Sequence, residues 1–155
     1  MNNNEHSKDF PDSFYRVTVK GLCVRDGKVL LIHEPEALSG RWEMPGGGLD
    51  FGEDPKLGLK RELEEEMGLK ITKISDSPVY VWTYKYRKLR NLDWYYSFVV
   101  AYQVEFENLD FKLTEECDRI DFFTKEQLQT LELEGQANRL PEIFNPEDFE
   151  KVFDK

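Results

Sequence analysis

Residues 47–69 read GGLDFGEDPKLGLKRELEEEMGL. A glycine turn comes first, and a stretch dense in carboxylates follows. Asp54 is a suitable helix N-cap and Pro55 suits the first helical position. Gly68 stands where a helix ends in a left-handed glycine. Leu59, Leu63 and Met67 recur every four residues and form an apolar stripe for the core. Glu62, Glu65 and Glu66 follow the i, i+3, i+4 spacing. That spacing puts their Cβ atoms about 5–6 Å apart on one face. Three like charges on one stripe repel, and a divalent cation would turn that repulsion into binding. Hard oxygen ligands select Mg²⁺, Mn²⁺ or Ca²⁺ over soft metals. Standing alone, such a run is more often a solvated helix face.

It does not stand alone. Gly47, Glu53, Arg61, Glu62, Glu65, Glu66 and Gly68 sit at fixed offsets, with Leu63 and Leu69 at apolar positions. The pattern resembles the signature of the Nudix hydrolases: Gly, five residues, Glu, seven residues, then Arg-Glu-apolar-any-Glu-Glu-any-Gly-apolar, every position of which is met. The resemblance implies an α/β fold, the αβα sandwich with a mixed β-sheet. It implies metal-binding carboxylates at Glu62, Glu65 and Glu66, and a backbone carbonyl from the turn, taken as Gly46. A further carboxylate from a later loop is expected among Glu115, Glu116 and Asp118, with Glu116 preferred. The implied catalytic set is Glu62, Glu65, Glu53 and Arg61. Glu62 is the base or orients it, and Glu53 faces the metal site or is held by Arg61. The choice of base among the glutamates stays open.

The implied activity is Mg²⁺-dependent cleavage of the diphosphate bond of a nucleoside diphosphate linked to another moiety, with Mn²⁺ able to substitute. Such chemistry needs charge neutralised on phosphate oxygens and a water aimed in line. The alternative is a catalytically silent module of the same fold that binds nucleotides or regulates. An acidic interaction protein, whose glutamates are only solvated, is a third reading.

The 155 residues suit one domain, 14–155, after a polar tail at 1–13. The net charge of −10 argues against nonspecific binding to nucleic acid or an anionic membrane. No apolar run approaches the roughly 20 residues of a membrane span, and the N-terminus has no secretory apolar core. Cys23 and Cys117 form no metal-ligand spacing, so a reduced, cytoplasmic protein is expected. A homodimer is left open.

Around the signature, residues 14–25 and 28–33 flank Asp26-Gly27 and predict a hairpin. Further strands are expected at 69–74, 79–86, 94–106 and 120–123, with a connector at 87–93. Helices are expected at 125–133 and 146–153. Tyr80, Trp82, Tyr84 and Tyr86 alternate and share one sheet face. Such a face stacks on a nucleobase or, more often, packs in a core. Lys85, Arg87, Lys88 and Arg90 form a basic cluster. Tyr84, Tyr86 and Arg87 are the candidate substrate contacts. A proline about sixteen residues past the signature, frequent in ADP-ribose hydrolases of that family, is absent, and Lys85 stands there. His6 and His33 carry no motif, and His33 reads as structural.

Overall fold

The Asp26-Gly27 turn forms as its sequence predicts. Both residues have positive φ, 50° and 74°, as a two-residue hairpin turn of the primed type requires. In the computed structural model of the protein, residues 15–89 and 92–151 are described, with side chains at all of these except 86–89 and 92–94. The hairpin itself is short. Strand β2 (Val24–Arg25) pairs with β3 (Lys28–His33). The run expected as one strand over 14–25 is interrupted at Cys23. Its first part, β1 (Tyr15–Leu22), leaves for another sheet.

That sheet is mixed. Strand β1 runs antiparallel to β5 (Gly46–Gly48) and parallel to β8 (Leu92–Phe106). The far edge of β8 takes β7 (Tyr80–Leu89) and then β6 (Ile71–Ile74), both antiparallel. In the second sheet β3 pairs with β2 and β4 (Trp42–Glu43), and also with β9 (Arg119–Phe123).

Helix α1 (Pro55–Met67) covers one side of the strands. The Asp54 carboxylate accepts from the N–H groups of Lys56 and Leu57, and Gly68 closes the helix at φ 68°. Leu59, Leu63 and Met67 are fully buried against Val19, Tyr102, Val104 and Phe106. Each such side chain contributes about 1.5–3 kcal/mol of hydrophobic stabilisation. A second cluster fills the other side, where Trp82, Val99 and Ala101 meet Leu128, Leu140, Phe144 and Phe149. These last come from α2 (Lys125–Leu128), α3 (Leu140–Ile143) and the segment around two 3₁₀ turns, Gly135–Arg139 and Pro146–Asp148. Helix, strands and helices thus form the expected αβα layering. Among the described residues no helix is long and apolar enough to cross a membrane.

Several boundaries differ from expectation. The helix expected over 125–133 stops at Leu128, capped at Thr124 by a capping box with Gln127. Leu133 instead bridges Trp42. Helix α3 lies where none was expected, and Pro141 sits in its first turn, where proline is tolerated. The terminal helix expected over 146–153 is a 3₁₀ turn at Pro146–Asp148, and residues 152–155 lie outside the described chain, as does the tail at 1–13. The connector expected at 87–93 shrinks, since β7 reaches Leu89 and β8 starts at Leu92.

Candidate functional site

The second half of α1 projects Glu62 and Glu66, one turn apart, into a cavity of about 670 Å³. Ligand pockets commonly measure about 300–1,000 Å³. Strand β5 supplies Gly46 and Gly47 to its wall, and the loop before β9 supplies Glu116. Only glycine fits at 46, and at 47 a side chain would displace the Glu62 carboxylate. Gly46 has φ 127°, and a Cβ there would strike the Val19 carbonyl. A Cβ on Gly47 would run into the Glu62 carboxylate.

Glu66 is only 4% exposed. Its Oε2 accepts the Gly46 N–H at 3.2 Å, and its Oε1 is buried with no hydrogen-bond partner. Burial pushes its carboxyl up to about 8. Lys20 and the Gly46 N–H pull against that rise, while Glu116 and Glu43 add to it. Burial also raises Glu62, opposed by the neighbouring Arg61 and helped by Glu65 and Glu116. The Thr114 hydroxyl donates to the Glu66 carbonyl and accepts the N–H groups of Glu116 and Cys117. This ties the Glu116 loop to α1.

Arg61 gathers the remaining carboxylates. Its Nε and Nη2 donate to the two oxygens of Glu53 at 2.8 and 2.9 Å. Its Nη1 donates to Glu62 and to Glu65, each at 3.1 Å. This guanidinium holds the Glu53 carboxyl down to about 2, with the Asp50 N–H assisting. Glu65 therefore turns to Arg61 and is 60% exposed, outside the cavity wall. Glu62, Glu66, Glu116 and Gly46 meet at the cavity; Glu53 and Glu65 meet at Arg61. Among the described residues no three acidic, histidine or cysteine side chains converge closely enough to hold one ion as they stand. Arg61 holds both Glu62 and Glu65 through Nη1.

The donor set still fits a hard divalent cation. A buried carboxylate oxygen without a partner is costly. The wall also carries Glu34, Glu43, Glu62, Glu66, Glu116 and Glu134 against two cations, Arg16 and Lys20. Such a cavity repels an anionic phosphate chain unless added positive charge offsets the carboxylates.

Of the candidate substrate contacts, only Tyr84 has a described side chain. Trp82 is core: it is 8% exposed and its Nε1 donates to the Gln136 carbonyl at 3.2 Å. Tyr80 donates to Asp148 at 2.6 Å. Tyr84 is half-buried against Gly135 and is not part of the cavity wall. The side chains of Tyr86 and Arg87, and of Lys88 and Arg90, lie outside the described residues. Tyr95 and Arg16 do line the cavity. Sequence reasoning missed both, together with Lys20 and Glu43. For Lys20 a signal existed: a lysine inside the run Val17–Leu22 shares its face with Thr18 and Leu22, which is a buried face. His33 is structural as read, hydrogen-bonded to Asp118 at 2.7 Å and to the Gly40 carbonyl at 3.1 Å.

A family model described as NUDIX domain matches residues 14–143. A putative 8-oxo-dGTP diphosphatase 2 of Mycobacterium tuberculosis is 40% identical over 62 residues, which span 39% of this chain and 44% of that protein. An RNA pyrophosphohydrolase of Aeromonas hydrophila is 47% identical over 49 residues, 32% of this chain and 27% of that one. The matched stretch thus spans less than half of these curated relatives. Among solved structures, the MutT protein of Methanosarcina mazei superposes with a TM-score of 0.69 at 21% identity, covering 91% of this chain and all of that one. At that identity the likeness shows the fold.

Proposed function

Since the chain belongs to the NUDIX domain family, we propose that it is a metal-dependent hydrolase that cleaves the diphosphate bond of a nucleoside diphosphate joined to a second group. Mg²⁺ is the proposed metal, with Mn²⁺ able to replace it. The observation that carries the proposal is Glu66: a buried carboxylate with an unpartnered oxygen, beside Glu62 and Glu116 in a cavity of ligand size. The similar proteins named as an 8-oxo-dGTP diphosphatase and an RNA pyrophosphohydrolase support the bond class. They do not extend to the substrate, because each match is partial.

Glu62, Glu66, Glu116 and the Gly46 carbonyl are the groups that would hold the ion, with Glu65 on the same helix face. Bound there, a divalent ion supplies charge neutralisation on phosphate oxygens and a more acidic water. The chain's own residues do the rest. Glu62 is raised by burial, which moves a carboxylate toward the range useful to a general base near neutral pH. Arg61 fixes Glu62 through Nη1 and is itself anchored by its fork to Glu53. Arg16 is placed on the cavity wall to meet phosphate oxygens. Cys23 and Cys117 take no part: burial pushes both thiols up to about 12. As free buried thiols they suit a reducing, cytoplasmic setting.

The test is a panel of nucleoside triphosphates, sugar nucleotides, dinucleoside polyphosphates and ADP-ribose, with products identified. The protein should release a mononucleotide or pyrophosphate from at least one compound with Mg²⁺ or Mn²⁺, and nothing in EDTA. Absence of turnover with every divalent metal would overturn the enzyme reading.

A further inference from the structure

Lys20 is a buried charge that the proposed chemistry does not use. It lies in the middle of β1 and is 3% exposed. Its ammonium donates to the carbonyls of Met44 and Gly46, both at 3.1 Å, and lies 3.9 Å from Glu43 Oε1. The carbonyl between them, Pro45, accepts the Gly21 N–H at 2.9 Å. Three successive carbonyls are thereby fastened to β1. A neutral side chain could donate to these carbonyls as well. Burying a full charge is far more costly than burying an amide, so the charge calls for a reason beyond holding the turn.

The surroundings supply one. Gly46 faces both ways: its carbonyl takes Lys20 and its N–H takes the Glu66 carboxylate. Lys20 lines the same cavity as Glu66. A divalent cation entering to pair with Glu66 meets an ammonium that holds the same residue, Gly46, through its carbonyl. We propose that Lys20 is a positioning residue whose built-in charge shares Gly46 and Glu66 with the divalent metal and sets how weakly the free ion binds. This rests on the metal reading given above. Its consequence is a site filled chiefly by metal that arrives with a phosphate chain, whose negative charge offsets the ammonium.

The test is Mn²⁺ binding to the full chain without substrate, read from the free Mn²⁺ signal in electron paramagnetic resonance. Lys20→Gln keeps a donor for the carbonyls and removes the charge. It should bind Mn²⁺ about tenfold more tightly than the wild type or more, because a buried unit charge lining the same cavity as the ligands opposes a cation by about that factor or more. A purely structural role predicts the reverse: equal or weaker binding and a lower melting temperature. Equal or weaker binding in folded Lys20→Gln overturns the inference alone. No Mn²⁺ uptake by either protein overturns the metal reading with it. Should the variant not fold, the lysine ammonium resonances of the wild-type protein decide the matter in an Mg²⁺ titration. A slowly exchanging, buried ammonium signal should shift as Mg²⁺ saturates the site, and a signal that stays fixed overturns the inference.

Discussion

Arg61 shows how much of the site hangs on one side chain. It bonds Glu53 through two nitrogens and also touches Glu62 and Glu65. A lysine offers one point charge and no fork, so it could not hold this arrangement. The pairing also fixes a pH dependence. Glu53 ordinarily titrates at 4.5 and is held at about 2 by Arg61. Its ionised form is thus favoured by folding. The pair's contribution is complete above about 4.5 and fades as pH falls from there toward 2. Glu53→Gln should flatten that acid limb when melting temperature is followed from pH 6 down to pH 2, on the order of the range where carboxylates titrate. An acid limb identical to the wild type would show that the pair lends the fold nothing.

At the scale of elements, Trp82 of β7 packs as core, while Tyr80 and Tyr84 are half-buried. Trp82→Ala should destabilise the fold by about 3–5 kcal/mol, as for other buried aromatics, seen in urea unfolding. A loss of under about 1 kcal/mol would be that of a surface position. What could be read from sequence divides along the same line. Local rules placed α1 to the residue, because Asp54, Pro55 and Gly68 mark its ends and Leu59, Leu63 and Met67 its buried stripe. Asp26-Gly27 placed the hairpin turn for a similar local reason. The parallel pairing of β1 with β8 joins residues far apart in sequence, and nothing local encodes it. Helix α2 ends four residues in because Leu131 and Leu133 find burial against the second cluster outside any helix. The site followed suit. Glu62 and Glu66 were legible in the spacing and the family signature, Glu116 only as a preferred candidate in a later loop, and all three line one cavity wall. Lys20, Glu43 and Arg16 reach that wall only through tertiary pairing of β1, β4 and β5, so motif reading passed over them. Tyr84 is a candidate substrate contact by its place beside a basic cluster in sequence, with core packing the equal alternative; its side chain is half-buried near Gly135.

Across the whole molecule, negative charge is both global and focused. The chain carries −10, and the cavity beside α1 gathers carboxylates from α1, β4 and three loops around two cations. An anionic substrate enters such a field only with accompanying positive charge, which is the physical ground for the metal dependence proposed above. The most direct test compares turnover of the best substrate in the panel by the wild type with that by Glu62→Gln and Glu66→Gln, under saturating Mg²⁺. Each change keeps the side chain's shape and removes one charge, and neither buries a new one, so folding should persist. The account predicts a fall in kcat of about 100-fold or more for both, equivalent to roughly 2.7 kcal/mol in the transition state. Near-wild-type rates in both variants, with folding intact, would contradict it.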